Sequence, residues 1–104
     1  MDIQRIRNLT TLRVHTQIEH FFEDIKYITG DSRVIPYHLE MTCDAMRPWL
    51  MEKLKDKRFF DGRYDKTHTG EIDLSPMTVV ERETFLKLFL EQPSPLEKIL
   101  TVKN

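Results

Sequence analysis

Residues 39–54 read LEMTCDAMRPWLMEKL, and this stretch decides the fold class because its apolar side chains keep one helical phase. Spacings of four, three, four and four residues separate Leu39, Cys43, Met46, Leu50 and Leu54. Such spacing places side chains on one face of an α-helix. A proline inside a helix removes a backbone hydrogen bond at a cost of about 3 kcal/mol. Because the phase continues through Pro48, the pattern predicts one helix within residues 37–58, kinked at Pro48. The alternative is a helix that ends at Met46 and a second one that begins at Pro48.

A preceding helix is predicted over residues 17–29. Its apolar face consists of Ile18, Phe21, Phe22, Ile25 and Ile28, and its polar face of Glu19, His20, Glu23, Asp24 and Lys26. Thr16 and Glu19 have the spacing of a capping box. Gly30 supplies a left-handed stop at the other end.

The first residues predict a short helix that begins near Asp2, with Ile3 and Ile6 on its buried side. The apolar phase slips between Leu9 and Leu12, where two threonines lower helix propensity. Two interpretations stay open at this point. Either the helix breaks there, or the chain runs extended over residues 11–16 before the next helix.

The last third of the chain predicts a helix from Thr78 to about Glu91. Thr78 and Glu81 have the spacing of a capping box. Its apolar arc is unusually wide, and it comprises Val79, Phe85, Leu86, Leu88, Phe89 and Leu90. A short final helix is predicted over residues 96–102, after Ser94 and Pro95.

Between these helices, residues 59–74 contain two turn signals, Asp61-Gly62 and Thr69-Gly70. They are compatible with a short β-hairpin or with a loop. Taken together, the patterns predict a mainly α protein, a small bundle of four to five helices that forms a single domain over residues 1–104.

Composition excludes several classes. The chain has 104 residues, 16 basic and 17 acidic side chains and a net charge of −1, which argues against an overall basic nucleic-acid binder. No apolar run approaches the ~18 residues of a membrane span, so no membrane contact is expected. A single cysteine with no disulfide framework is typical of a cytoplasmic protein.

Few residues have the pattern of a chemical site. Cys43 lies within an apolar stripe beside Asp44, a setting that disfavours a reactive thiolate. Residues 65–73 resemble an EF-hand calcium loop in several positions, but position twelve is Pro76 where the loop requires a bidentate Glu. No phosphate-binding, dinucleotide or nucleophile motif occurs. The sequence therefore predicts a non-enzymatic protein with no cofactor and no metal.

Charge is unevenly distributed along the chain. Residues 47–66 carry a local charge of +3 interleaved with aromatic rings, and residues 71–97 carry −4. Basic and aromatic residues together can bind single-stranded nucleic acid. The candidates in the basic segment are Trp49, Lys53, Lys57, Arg58, Arg63 and Tyr64.

Two functions are thus predicted. The preferred one is a small regulatory, adaptor or inhibitor protein that acts through protein–protein contact, as a homodimer or with another protein. Its candidate interface comprises Phe85, Leu88 and Phe89 in the wide apolar arc. The alternative is a nucleic-acid-associated regulator that uses residues 47–66.

Overall fold

The computed structural model describes residues 1–30 and 39–92, and these ranges contain four α-helices. The helices are α1 (Ile3–Thr11), α2 (Ile18–Thr29), α3 (Leu39–Lys53) and α4 (Val79–Glu91), with a short 3₁₀ helix at Lys57–Phe60. The mainly α prediction is confirmed. The predicted helix at 96–102 lies outside the described residues.

Helix α1 begins after Asp2, whose carboxylate accepts a hydrogen bond from the backbone N–H of Gln4 at 3.3 Å. It ends before Leu12, which adopts a left-handed backbone conformation with φ of 55°. The helix therefore breaks at the point where the apolar phase slips. Residues 12–17 connect it to α2 without helical structure.

The predicted capping box of α2 is wrong. Helix α2 begins after Gln17, and no side chain caps its first turn. The Thr16 hydroxyl contacts Asn8 Nδ2 and His20 Nδ1 instead, each at 2.7 Å. At the other end Gly30 has a φ of 71° and donates its N–H to the Lys26 carbonyl, which confirms the predicted stop.

Asp24 also departs from the prediction, because it is buried although it was assigned to the polar face of α2. Arg5 of α1 donates two hydrogen bonds to the Asp24 carboxylate, from Nε at 2.9 Å and from Nη2 at 2.7 Å. Such bidentate geometry offsets the cost of burial. The pair joins α1 to α2 at the edge of the core.

Helix α3 is continuous through Pro48, which confirms one helix rather than two. Of its predicted stripe, Cys43, Met46 and Leu50 are buried and Leu39 is partly buried. Leu54 is buried directly beyond the helix and donates its N–H to the Leu50 carbonyl at 2.8 Å.

Helices α3 and α4 lie antiparallel and form the most extensive helix pair in the described ranges. Lys53 at the end of α3 pairs with Glu81 at the start of α4 at 2.9 Å. Gln92, after the end of α4, donates to the Met41 carbonyl near the start of α3 at 2.9 Å. The capping box of Thr78 and Glu81 is present as predicted.

The β-hairpin alternative for residues 59–74 is wrong. Within residues 1–30 and 39–92 there is no strand, only one isolated bridge between Asp2 and Glu71. One reason is that Phe59, in the 3₁₀ helix, is completely buried in the core. Another is that side chains of α1 donate hydrogen bonds to backbone carbonyls of this segment, which are then not available for pairing between strands. None of the helices here is long and apolar enough to cross a membrane.

Candidate functional site

The segment between α3 and α4, residues 54–78, is held by α1 rather than by a ladder of its own. The Ile3 N–H donates to the Gly70 carbonyl at 2.9 Å. Gln4 Nε2 donates to the carbonyls of Asp65 at 2.9 Å and His68 at 2.7 Å. A loop this long in a small domain is commonly functional. We therefore call residues 54–78 the long loop and treat it as one of two candidate surfaces.

Arg7 of α1 is the central support of the long loop. Its side chain is completely buried. Nη1 donates to the Arg58 carbonyl at 2.6 Å, and Nη2 donates to the Arg63 carbonyl. Asp61 supplies the nearest carboxylate oxygen, at 3.4 Å from Nη2. Both terminal nitrogens of this buried guanidinium therefore have acceptors, whereas its Nε is buried without a hydrogen-bond partner among the described residues.

His68 lies beside this guanidinium and is also buried. Its Nδ1 is 3.0 Å from Arg7 Nη1. Arginine can only donate, so Nδ1 accepts and the neutral ring carries its proton on Nε2. Nε2 is 3.2 Å from Asp56 Oδ2, without the alignment of a hydrogen bond. The Phe59 ring packs against His68 at 4.5 Å.

An Asp–His pair activates a side-chain nucleophile when the imidazole also lies within hydrogen-bond reach of that group. In the described part of the chain, the contacts of the His68 side chain are Arg7, Asp56 and Phe59. The one thiol, Cys43, is buried, and burial raises its pKa to about 12, with a smaller contribution from the Asp44 charge. The Arg7–His68 pair is thus arranged as a structural support for the long loop.

Three aspartates shape the long loop in the same way. Asp56, Asp61 and Asp65 each accept a hydrogen bond from the backbone N–H two residues later, at 3.0, 2.9 and 3.0 Å. This is the Asx turn. Hydrogen bonds lower the pKa of all three carboxyls: mainly from the Arg58 side chain for Asp56, from the Arg63 backbone for Asp61 and from the Thr67 hydroxyl for Asp65.

The loop that resembles a calcium site is built as a turn. Both the N–H and the hydroxyl of Thr67 donate to Asp65 Oδ1. Gly70 has a φ of 123°, which only glycine adopts easily. Among residues 1–30 and 39–92, no group of three or more His, Cys, Asp or Glu side chains could hold a metal ion.

The candidates of the basic segment do not form one cluster. Lys53 is paired with Glu81, and Arg58 is paired with Asp56 through both its Nε and Nη2. Trp49 is buried against the core. Lys57, Arg63 and Tyr64 are exposed.

Two exposed arginines stack on rings near the end of α1. Arg13 lies 5.6 Å from the centroid of the Tyr64 ring, and Arg47 lies 5.4 Å from that of Phe60. The His15 ring contacts Tyr64 at 4.9 Å. Burial, and then the charges of Arg7 and Arg13, lower the pKa of His15. Position along the chain gave no indication that residues 13 and 15 join the basic segment.

Helix α4 carries the second candidate surface, but not on the residues that were predicted. Phe85 is only 2% exposed and is covered by its own chain, while Leu88 and Phe89 are half-buried. Val79, Val80 and Leu90 are 68%, 70% and 77% exposed. These are the three highest values among the large apolar side chains of the described residues.

An open groove of about 180 Å³ runs beside this surface, between α3 and α4. Pro48, Trp49 and Glu52 line it from α3, and Val80, Thr84 and Leu88 line it from α4. Ala45, Glu81 and Phe85 complete the lining. The exposed face of α4 therefore continues into a depression with mainly apolar walls.

Comparisons with protein-family models, with curated proteins and with solved structures found no match.

Proposed function

We propose that this is a non-catalytic cytoplasmic protein that acts through protein–protein contact and that pairs with a second copy of itself through α4. The single observation that carries the proposal is the exposure of Val79, Val80 and Leu90 on one helix. Apolar side chains scattered singly on a surface are ordinary, but a concentration of the most exposed ones favours an interface.

The order of residues on α4 supports a second copy as the occupant. Val80, Glu83, Lys87 and Leu90 are all exposed and follow spacings of three, four and three residues. This spacing is that of one seam of a coiled coil. The four side chains therefore form a stripe on the outer side of α4, which we call the outer stripe.

The outer stripe is self-complementary when two copies of α4 pack antiparallel about a two-fold axis. With the axis near residue 85, Val80 of one copy meets Leu90 of the other. The same register places Glu83 of each copy opposite Lys87 of the other, once on each side of the axis. Each contact then occurs twice, as an isologous interface requires. Opposite charges in facing positions fix this register against alternatives.

The non-catalytic and cytoplasmic parts of the proposal rest on separate observations. The buried His68 ring is hydrogen-bonded to Arg7. The Cys43 thiol is buried, and burial raises its pKa. A single thiol kept in the core, with no disulfide partner in the sequence, favours a reducing compartment.

Sedimentation velocity over a range of concentrations tests the pairing. We expect a concentration-dependent dimer that Val80→Glu or Leu90→Glu abolishes. Val14→Glu is the matched control, because Val14 is also exposed but lies outside the outer stripe. A monomer at every accessible concentration would contradict the proposal.

Charge reversal tests the register. Lys87→Glu places two glutamates opposite each other and should weaken the dimer. The double variant Glu83→Lys, Lys87→Glu restores opposite charges in both positions and should restore it. Failure of the double variant to recover would rule out the antiparallel register. Binding of an unrelated protein to the outer stripe, without any pairing of the chain with itself, would show that the occupant is not a second copy.

A further inference from the structure

The two stacked arginines form a surface that is separate from the outer stripe. We define the arginine–ring surface as Arg13, His15, Arg47, Phe60 and Tyr64. Arg47 lines a small depression together with Thr11 and Leu12, so it lies at the same end of α1 as Arg13. The fold thus brings two arginine-on-ring pairs together from three separate parts of the chain.

Tyr64 presents its ring to solvent. It is 61% exposed, although Arg13 and His15 both contact it. His15 is half-buried, and its Nε2 is 2.8 Å from the Thr11 hydroxyl. That hydroxyl donates to the Arg7 carbonyl at 2.6 Å, so it accepts from His15 Nε2. The contact holds the imidazole in place against the Tyr64 ring.

The connection that carries Arg13 and His15 is also fixed. Asn8 is buried, and its Oδ1 accepts the backbone N–H groups of His15 at 2.7 Å and Thr16 at 3.3 Å. The Arg13 N–H donates to the Thr11 hydroxyl at 3.2 Å. A preorganised surface loses less conformational entropy when a ligand binds.

Two acidic groups of the long loop are paired with arginines, and a third, Asp65, is bonded to neutral donors only. Asp56 is bound to Arg58, Asp61 to Arg7 and the Arg63 backbone, and Asp65 to Thr67. Arg63, the residue before Tyr64 in the chain, is a third exposed arginine. Asp44 is an exposed acid that lines the depression beside Arg47.

We propose that the arginine–ring surface binds single-stranded nucleic acid. Guanidinium groups bind phosphates, and an exposed ring provides a platform on which an unpaired base stacks. Duplex offers no free base face to such a platform, and a chain of net charge −1 lacks the dense basic footprint of a duplex binder. This binding does not require the dimer.

Fluorescence anisotropy with labelled oligonucleotides tests the proposal. The probes are oligo-dT and oligo-U of about 15 nucleotides and a duplex of the same length, titrated at low salt. We expect both single strands to bind and the duplex to bind at least about tenfold more weakly. The proposal would be overturned if neither single strand binds. It would also be overturned if the duplex binds with the same affinity as the single strands.

Variants locate the binding surface. Tyr64→Leu should weaken single-strand binding about tenfold through loss of stacking. Tyr27→Leu is the matched control, since Tyr27 is 50% exposed on α2 and belongs to a different surface. Equal losses in the two variants would mean non-specific binding and would contradict the assignment.

Salt dependence separates phosphate contacts from other effects. Each phosphate contact to a single strand contributes about 0.7 to the slope of log affinity against log salt. Arg13→Gln should lower the slope by about that amount, and Lys26→Gln, on the exposed side of α2, should leave it unchanged. An unchanged slope in Arg13→Gln would remove this residue from the surface and overturn the proposal as stated.

Discussion

Arg7 Nη1 donates to His68 Nδ1 over 3.0 Å, and both side chains are enclosed by the chain. The two residues are 61 positions apart. Their contact therefore joins the first helix directly to the middle of the long loop. A neutral His68 is part of this arrangement, because a protonated Nδ1 could not accept from Arg7.

Replacing Arg7 should destabilise the protein strongly. Arg7→Met removes the buried donor of the Arg58 and Arg63 carbonyls, and we expect a loss of about 3 kcal/mol in the free energy of unfolding. Urea denaturation followed by circular dichroism measures it. Arg13→Met is the control, because Arg13 is exposed and its loss should change stability by less than about 0.5 kcal/mol. Similar values for the two variants would contradict the role of Arg7.

Cys43 should be unreactive in the folded protein. At pH 8 a pKa of about 12 rather than 9.0 leaves roughly a thousandfold less thiolate, and the thiol is also buried. Iodoacetamide should modify the native chain far more slowly than the chain in denaturant. Equal rates in the two conditions would show that the thiol is accessible.

The same thiol should make stability fall at high pH. Between pH 9 and 12 the unfolded thiol releases its proton while the folded one retains it, so the free energy of unfolding decreases as pH rises. Cys43→Ala should lack this contribution. The measurement is the difference between the two proteins across that range, since other groups titrate in both. A constant difference would contradict the prediction.

Glu81 should make stability fall at low pH. Its pKa is lowered from 4.5 to about 2, first by the backbone N–H of Thr78 and then by Lys53. The stabilisation is therefore present above pH 4.5 and is lost as pH falls towards 2. Thermal melts at several pH values should show a weaker acid dependence for Glu81→Gln. Glu19→Gln is the control, because no side chain caps the first turn of α2.

Removing the proline from α3 should stabilise the helix. Pro48 lacks the N–H that would reach the Asp44 carbonyl, and it is exposed, so alanine fits in its place. We expect Pro48→Ala to raise the free energy of unfolding by about 1 kcal/mol, less than the full cost of an internal proline because the unfolded chain gains freedom. A decrease in the urea midpoint would contradict this.

Periodicity was sufficient to predict the four α-helices of residues 1–30 and 39–92. The stripe from Leu39 to Leu54 predicted α3 correctly, including its path through Pro48, and the Thr78–Glu81 spacing predicted the start of α4. These features are local, since they depend on residues within one or two turns of each other. The capping box at Thr16 failed because Asn8, on the preceding helix, contacts that hydroxyl.

The supports of the candidate surfaces were not predicted. Arg7 follows Ile3 by four residues and therefore shares its buried face, which was a usable signal for a buried charge. Its partners lie 51 to 61 positions away, a distance over which periodicity carries no information. Likewise the wide apolar arc of α4 does not reveal which part faces α3. Only the fold shows that Phe85 points inward while Val80 and Leu90 remain exposed.

Arg7 binds the Arg58 and Arg63 positions through their main-chain carbonyls, and every residue type has such a carbonyl. These two supporting hydrogen bonds therefore do not depend on which side chains the two positions carry. Substitutions at positions 58 and 63 can therefore change the surface that a ligand meets while the hydrogen bonds from Arg7 remain. This makes the segment a suitable site for grafting new recognition sequences by design.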